Sequence, residues 1–292
     1  MDSTYQNCFA ILEDIRFGIQ EHSDALVRGQ QTGLHSNDWL IRKINDAQAF
    51  VYSMIRKRMP GFFVASASIT GVDSVYTLPA DYGSLIIFKD ENGHRVLPVD
   101  YDMLKLTNQQ GSDRRYYKKG NTLVLDKDGI TKTYTLWYFR KPRDMHTGKV
   151  DTGGTGSCTL DKPAKRIVDY YNGSVIESIT GDWHSTISDY TAARVATLSD
   201  AAQAVAKGEH YGMVSEIPDF AHHLIAPRAL LDIRSTSPTC KAGPPKRVDL
   251  ELFNDHLLTM LRDYQDTEPD VDWEEILGDF APRVQIWGTL ME

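Results

Sequence analysis

The stretch over residues 156–199 constrains the fold of this chain most, because it has the pattern of several short β-strands. Segments rich in Val, Ile, Thr, Tyr and Ser are separated there by turn dipeptides at Asn172-Gly173, Gly181-Asp182 and Thr191-Ala192. This spacing predicts a meander of short antiparallel strands. The stretch contains no reactive group of side chains, so it indicates a module that serves contact and not chemistry.

Both ends of the chain have helical patterns. Apolar residues recur every three or four positions over residues 5–22, over residues 40–55 after possible N-caps at Ser36-Asn37-Asp38, and over residues 250–264. Pro218 predicts the first turn of a further helix, which Pro227 is expected to kink or break. The simplest arrangement is an antiparallel bundle of N- and C-terminal helices.

The middle of the chain has the periodicity of strands. Strands are predicted at residues 75–78, 85–88, 95–99, 116–117, 121–125 and 134–139, with a hairpin turn at residues 90–93 and a short helix after Asp100. The last strand has apolar or aromatic side chains on both faces, which predicts a place inside a packed sheet or at an assembly interface. The Gly- and Thr-rich residues 147–156 are the best candidate for a linker.

Together these patterns predict an α+β fold with antiparallel central β segments. We expect a helical bundle from residues 1–61 and 217–265, and a β-rich central region from residues 62–146. Residues 147–216 are predicted to form an inserted β module, and residues 266–292 a C-terminal tail.

Charge and cysteine content narrow the possible partners. With 32 Lys and Arg against 40 Asp and Glu, the net charge of −8 disfavours a dedicated nucleic-acid binder, although DNA could pass close by without sequence-specific binding. An acidic surface suits a protein that surrounds a passage, and it is also a common solution for solubility. Cys8, Cys158 and Cys240 have no disulfide or zinc spacing, which indicates synthesis in a reducing cytoplasm.

No motif indicates catalysis, a cofactor or a metal, and no segment indicates a membrane helix. The glycines of residues 152–156 lack the Gly-Lys-Ser/Thr of a phosphate loop, and residues 126–129 lack the remaining ligands of a calcium loop. His222 and His223 are adjacent, so on a helix they point about 100 degrees apart and cannot chelate one metal together. Ser185 near His184 lacks the exposing turn of a hydrolase nucleophile. We therefore expect no enzyme activity.

The C-terminal tail is aromatic and apolar, and two tryptophans at a chain end are unusual. It either folds back on its own domain or reaches a neighbouring subunit or partner through aromatic anchors. The candidate interface residues are Trp273, Ile276, Leu277, Phe280, Ile286 and Trp287 of the tail, with Trp137 and Phe139 of the two-faced strand.

This layout resembles the head-to-tail adaptor proteins (neck or head-completion connectors) of tailed bacteriophages. The resemblance covers most of the chain and rests on strand, turn and helix-start phrases: Tyr76-Thr77-Leu78-Pro79-Ala80-Asp81-Tyr82, Arg114-Arg115-Tyr116-Tyr117 and Ile217-Pro218-Asp219-Phe220-Ala221-His222-His223-Leu224-Ile225. It implies a structural virion protein of the neck, made in the host cytoplasm. It also implies a homo-oligomeric ring, usually dodecameric, that binds the portal, meets tail or nozzle proteins and passes the genome through its channel.

Two other classes of function stay open at this point. The first is a carbohydrate-binding or host-recognition module of a phage tail, with an aromatic platform on the β module formed by Tyr170, Tyr171, Trp183 and Tyr190. The second is a hydrolase whose site leaves no motif, which the absence of a nucleophile, metal or phosphate motif argues against.

Overall fold

The computed structural model describes residues 7–21, 35–100, 115–126, 131–180, 182–238 and 240–277. The chain divides into two compact units. The first combines Met1–Met59 with Pro142–Thr267, and the second combines Pro60–Lys141 with Glu268–Glu292. The residues predicted as helical bundle and as inserted β module thus share the first unit, while those of the β-rich region and nearly all of the tail form the second.

The described residues have an α+β order, as predicted, in which two α-helices precede the strands and three follow them. The α-helices are α1 (Cys8–Gly18), α2 (Asn37–Arg58), α3 (Ile225–Thr236), α4 (Arg247–Asp263) and α5 (Trp273–Leu277). The strands are β1 (Val64–Thr70), β2 (Val75–Thr77), β3 (Tyr82–Lys89), β4 (Leu97–Pro98), β5 (Arg115–Lys119), β6 (Thr122–Leu125), β7 (Thr133–Arg140), β8 (Thr147–Lys149), β9 (Ser157–Thr159), β10 (Val175–Ser178), β11 (His184–Tyr190), β12 (Val195–Leu198) and β13 (His210–Met213).

Polar caps set the starts of the first two helices. Asn7 Oδ1 accepts a 2.9 Å hydrogen bond from the Ala10 N–H before α1. Ser36 Oγ accepts a 3.3 Å hydrogen bond from the Trp39 N–H before α2, so the predicted cap at Ser36 is confirmed. The last turn of α2 carries three basic residues, which suit the negative end of the helix dipole.

The segment after Ile217 divides in two, as Pro227 predicted. A 3-10 helix, Asp219–Leu224, runs directly into α3, and Pro227 lies in the first turn of α3. The first amide groups of a helix lack intrahelical acceptors, so the missing N–H of a proline is tolerated there. Helices α1, α2 and α3 pack against one another, and α4 packs against α3 and the 3-10 helix.

The β module of the first unit is one six-stranded sheet in the order β8-β13-β10-β11-β12-β9, antiparallel throughout. The predicted meander is confirmed for β10, β11 and β12, which pair in sequence. Beyond β8, Thr152 pairs with Thr159 of β9, so the two edge strands meet and the sheet closes on itself. The apolar side chains inside it form the module's own core: Val150, Cys158, Leu160, Ala164, Tyr171, Ile176, Trp183, Ile187, Tyr190, Ala196, Leu198, Val205, Tyr211 and Met213.

The Gly- and Thr-rich residues 147–156 are not a linker, and that prediction is wrong. Thr147–Lys149 is β8, which pairs with β13. The Val205 N–H donates a 3.0 Å hydrogen bond to the Gly154 carbonyl oxygen, and a Cβ on Gly153 would lie 2.2 Å from the Val205 carbonyl oxygen. These glycines therefore let two chain segments pack closely, a role that composition alone cannot distinguish from flexibility.

Side chains of α2 hold the β module to the helices. Asn45 Nδ2 donates to the Met145 carbonyl oxygen at 3.0 Å, and the Met145 N–H donates back to Asn45 Oδ1 at 2.7 Å. Gln48 Nε2 donates to the Arg143 carbonyl oxygen at 2.9 Å, while the Arg143 guanidinium pairs with Glu216 at 2.6 Å. The module is thus fixed within the first unit at the point where its chain enters.

The second unit contains two sheets that share one core. The three-stranded sheet has the order β1-β7-β3 and the four-stranded sheet the order β2-β6-β5-β4. Aromatic rings from both sheets meet between them, with Phe88 and Tyr76 at 5.0 and 5.1 Å from the ring of Tyr134. The core residues are Tyr76, Leu78, Phe88, Val96, Tyr116, Leu123, Leu125, Tyr134, Leu136 and Tyr138.

The strand predicted at residues 95–99, after the turn at residues 90–93, does not form the expected hairpin. Only Arg95 pairs antiparallel with Lys89, as an isolated bridge. Leu97–Pro98 then pairs with β5 in parallel, in the other sheet, so the central segments are not all antiparallel. Pro98 cannot donate to a ladder, which favours this short edge position. The helix predicted after Asp100 lies outside the described residues.

Candidate interaction surfaces

Strand β7 lies at the centre of its sheet, with β1 on one side and β3 on the other. Its Tyr134, Leu136 and Tyr138 are buried in the core, whereas Trp137 and Phe139 lie on the opposite face and are half-buried. The predicted place inside a packed sheet is therefore confirmed. The opposite face carries the two aromatic residues that the sequence proposed for an interface.

The start of the C-terminal tail packs on its own unit. The ring centroid of Trp273 lies 6.5 Å from that of Phe139. Lys89 Nζ donates a 2.7 Å hydrogen bond to the Glu275 carbonyl oxygen, and Ile276 is buried. The structure thus brings Trp273 and Phe139 of the predicted interface together within one unit.

The rest of the predicted tail interface is only partly visible. Leu277 is half-buried at the end of the described residues. Phe280, Ile286 and Trp287 lie outside the described residues, so their interface role stays a prediction.

The tail is anchored ahead of α5 by a carboxylate. The Gly61 N–H donates a hydrogen bond to Glu268 Oε1, and burial raises the pKa of the Glu268 carboxyl while this bond lowers it. A Cβ on Gly61 would lie 2.7 Å from the Pro269 carbonyl oxygen. Gly61 therefore permits the tail to pass directly against the turn that precedes β1.

Helix α4 exposes apolar side chains on the faces turned away from its neighbours. Its buried side consists of Phe253, Leu257, Met260 and Leu261. Outside that stripe, Val248 is 67% exposed, Leu252 55% and Leu258 47%. Side chains four positions apart lie on one helix face, so Val248 and Leu252 form a contiguous apolar patch.

The predicted apolar stripe of α4 is correct in the middle and too long at both ends. Leu250 and Tyr264, the two ends of the predicted range 250–264, are both exposed. The Tyr264 ring stacks on Phe220 with centroids 4.4 Å apart.

A loop of the β module presents a second apolar pair. Residues 165–169 are all exposed, with Ile167 at 55% and Val168 at 58%. Arg166, beside them, has no ion-pair or hydrogen-bond partner among the described residues. We name residues 165–169 the module loop. Sequence reasoning missed it, although two adjacent β-branched residues after Lys-Arg, outside any strand pattern, were a signal.

Buried tyrosines hold the module loop in place. Tyr190 Oη donates a 2.6 Å hydrogen bond to the Lys165 carbonyl oxygen, and the Asp169 N–H donates a 2.8 Å bond to the Tyr190 carbonyl oxygen. Asp169 has a φ of 60°, in the left-handed region that aspartate tolerates. The loop is thus a turn defined by its contacts with the core.

The aromatic platform predicted for a carbohydrate-binding module is wrong. Tyr171, Trp183 and Tyr190 are buried in the core of the β module, and Tyr170 is partly buried against them. Burial raises the pKa of Tyr190 to about 12. Alternating strand residues can face either side of a sheet, and closure of this sheet turned these rings inward.

A buried ionic cluster joins helices α1, α2 and α3. Glu21 accepts from Arg16 at 3.4 Å and pairs with His35 Nδ1 at 2.7 Å, while His35 Nε2 lies 2.7 Å from Ser237 Oγ. Burial lowers the pKa of Arg16, which the charge of Glu21 partly offsets. These contacts link residues at the ends of three helices, so the cluster has a structural role.

Within the described ranges, no group of three or more His, Cys, Asp or Glu residues is placed to hold a metal ion. His222 Nε2 lies 2.8 Å from the Ile217 carbonyl oxygen, and burial lowers its pKa. Burial raises the pKa of the Cys158 thiol to about 11 and also raises that of Cys8, which keeps both thiols protonated and unreactive. In the same residues, no helix is long and apolar enough to span a membrane.

Large contiguous apolar patches on a protein surface mark sites of interaction with other proteins. Residues 19–213 match the family model described as SU10 adaptor protein. Because the match spans well over half of the chain, the chain belongs to the SU10 adaptor protein family. This confirms the predicted class, a phage head-to-tail adaptor, with a structural role at the virion neck.

The matched residues include α2, both sheets of the second unit and the β module, and therefore the module loop. The exposed face of α4 and the tail lie beyond the matched range. Comparison with curated proteins finds no match.

Proposed function

We propose that the protein is a ring-forming adaptor that joins the portal to the tail and lets the genome pass through its channel. In this proposal the protein is made in the host cytoplasm and catalyses no reaction. The observation that carries it is the exposed apolar patch on α4 and the module loop, which lie on elements fixed by the core. A copy on its own leaves these side chains in water, whereas a subunit interface buries them.

The helices of the first unit form the docking element for the portal. Mutual packing of α1, α2 and α3, with α4 on their outer side, supports an antiparallel bundle in which α4 presents Val248 and Leu252 to a partner. The β module and the tail then contact tail or nozzle proteins or neighbouring subunits.

The net charge of the chain supports the proposal that DNA passes through a channel in the ring. With a net charge of −8, the protein has little general attraction for DNA phosphates, so the genome can slide past without being held. Sequence-specific DNA contacts are not part of the proposal. The ring takes the twelve-fold symmetry usual for such adaptors.

Native mass spectrometry of the full chain, alone and mixed with the portal of the same phage, tests the proposal. We expect a closed ring, on its own or on the portal, with about twelve copies. Leu252→Glu should prevent ring formation or portal binding and leave the thermal unfolding temperature unchanged, because Leu252 is exposed in the monomer. Exposed Glu251→Gln on the same helix is the matched control. Monomer under all conditions would refute the proposal.

A further inference from the structure

Strand β1 has an outer edge that no strand of the described residues pairs with. On its inner side, all seven residues of Val64–Thr70 pair with β7 in one continuous register. Natural edge strands are usually protected by charged residues, proline or bulges, and β1, with the sequence VASASIT, has none of these. The opposite edge of the sheet differs, because β3 has two register shifts and Phe88 already accepts a hydrogen bond from Val96.

The register identifies the backbone groups on this open edge. The Gly71 N–H donates to the Lys132 carbonyl oxygen, which makes this pair a hydrogen-bonded one. Hydrogen-bonded and non-hydrogen-bonded pairs alternate in an antiparallel ladder. The N–H and C=O groups of Ser66 and Ser68 therefore point away from β7, and the 2.9 Å contact between the hydroxyls of Thr70 and Thr133 fits the same alternation.

The apolar side chains on one face of β1 are only partly covered. Ala65, Ala67 and Ile69 pack against the core of the second unit but are only partly buried. Ser66 and Ser68 are exposed on the other face. A further strand with apolar residues at alternate positions would cover the first set and leave the second in water.

Building on the proposed ring, we propose that residues 283–287 of a neighbouring copy add to the outer edge of β1 as an additional strand. In this segment, Val284 and Ile286 alternate with Arg283, Gln285 and Trp287, the two-residue period of a half-buried strand. Val284 and Ile286 extend the apolar row of β1. Main-chain hydrogen bonds to Ser66 and Ser68 supply the affinity, as in other cases of strand addition.

The path of the chain brings the tail to this sheet. Glu268 binds Gly61, three residues before β1, and Trp273 contacts Phe139, which pairs with Val64 at the start of β1. Five residues, 278–282, connect Leu277 to residues 283–287. When extended they span about 20 Å at about 3.3 Å per residue, so residues 283–287 can leave the surface on which Leu277 lies.

Strand addition between copies is compatible with a ring, because the tail that donates the strand and the β1 edge that accepts it are different surfaces of the subunit. Such head-to-tail contacts close into a ring when the rotation allows it. A tail that pairs with β1 of its own copy would instead leave the subunits unlinked, and the test below separates the two arrangements.

Cysteine cross-linking in the full chain tests the inference. One variant carries Gln285→Cys, because in the proposed pairing Gln285 lies on the same face of the sheet as Ser66 and Ser68. A second variant, made different in size by a tag, carries Ser66→Cys or Ser68→Cys, and the buried native cysteines stay in place. After the two variants assemble together under mild oxidation, we expect a disulfide heterodimer at least about tenfold above the level with Ser188→Cys. Ser188 is an exposed residue of β11 and serves as the control acceptor. Disulfides require Cα atoms within about 7 Å, so the bond reports adjacency.

The outcomes are distinct. A heterodimer confined to the β1 acceptors supports the inference. A third variant carries both cysteines in one chain. If its disulfide forms only within single chains and the mixed variants give no heterodimer, the inference is overturned in favour of self-pairing. Rings without any cross-link to β1 also overturn it and leave the adaptor proposal standing, whereas the absence of rings refutes both.

A proline variant provides a second readout that does not depend on oxidation. Ser68→Pro removes an N–H that points outward and spares the bonds to β7, so the circular dichroism spectrum should stay unchanged while ring formation falls at least tenfold. Ala67→Pro removes an inward N–H and should instead unfold the sheet. Unchanged assembly of a folded Ser68→Pro protein would overturn the inference.

Discussion

The hydroxyl of Tyr190 donates a 2.6 Å hydrogen bond to the carbonyl oxygen of Lys165, and this bond connects the core of the β module to the exposed module loop. The Tyr190 ring is fully buried, so the position of the module loop depends on packing in the core. A partner that binds Ile167 and Val168 meets a surface that is already ordered. Less conformational entropy is then lost on binding than with a free loop.

Tyr190→Phe tests this support. The ring stays in the core while the hydrogen bond is lost, so the free energy of unfolding should fall by about 1 kcal/mol. Amide hydrogen exchange at Asp169, whose N–H donates to the Tyr190 carbonyl oxygen, should accelerate. Tyr264→Phe, at an exposed ring stacked on Phe220, is the control and should change neither quantity. Equal effects of the two variants would contradict the proposed role of the hydroxyl.

Replacing the apolar pair itself tests its role in assembly. Ile167→Ser combined with Val168→Ser should weaken self-association or partner binding by at least about tenfold, because an interface that covers these side chains removes their apolar surface from water. The free energy of unfolding should change by less than about 0.5 kcal/mol, as is usual for surface positions. Analytical ultracentrifugation measures both the self-association of the chain and its binding to a partner. Val72→Ser, at an exposed valine of the second unit, is the control. If it weakens association as much as the double variant does, the module loop has no specific role in assembly.

Local patterns in the sequence predicted local structure well. The Ser36 cap, the break at Pro227 and the meander of β10 to β12 depend on neighbouring residues, and all three are confirmed. What depends on distant pairing was missed. The parallel pairing of Leu97–Pro98 with β5 and the closure of the β module through Thr152 and Thr159 join segments whose register no local period encodes.

The same limit explains the error about the aromatic residues. A tyrosine on a strand faces the core or the solvent according to which side of the sheet is covered, and coverage depends on the whole sheet. Tyr171 and Trp183 therefore looked suitable for a platform although they fill the core. The sequence signal of the module loop is weaker, because it consists only of apolar residues outside any helix or strand period.

The ion pair between Arg143 and Glu216 should stabilise the junction of helices and β module. Glu216 also accepts a 2.7 Å hydrogen bond from Ser174 Oγ, so Glu216→Gln removes charge from a largely buried group with several donors. We expect a loss of about 1–3 kcal/mol in the free energy of unfolding, measured with urea. The exposed Arg247–Glu251 pair gives the control: Glu251→Gln should cost less than about 0.5 kcal/mol. Equal costs would mean that the junction does not depend on this pair.

The stability of the first unit should depend on pH through His222. Burial lowers the pKa of His222 from its usual 6.5, so the unfolded chain binds a proton at a higher pH than the folded one. Stability is therefore complete above about pH 6.5 and falls as the pH decreases below that value. Urea unfolding between pH 5 and pH 8 should show this slope, and His222→Gln should reduce it. His210 and His223 also have lowered pKa values, so some slope should persist. An identical slope in the variant would exclude His222 as a source.

Gly61 should control whether the tail stays against its own unit. In Gly61→Ala the new Cβ would lie 2.7 Å from the Pro269 carbonyl oxygen and 2.8 Å from Glu268 Oε1, so the tail must move away from the turn before β1. The hydrogen bond from the Gly61 N–H to Glu268 then weakens, and Trp273 loses its position beside Phe139. We expect a red shift of tryptophan emission and a loss of about 1–2 kcal/mol in stability. Glu274→Gln, at an exposed carboxylate of α5, should leave both unchanged. Residues 283–287 follow this segment in the sequence, so displacement of the tail should also alter the rate of ring assembly. A Gly61→Ala protein with native emission and native assembly would show that this anchor does not direct the tail.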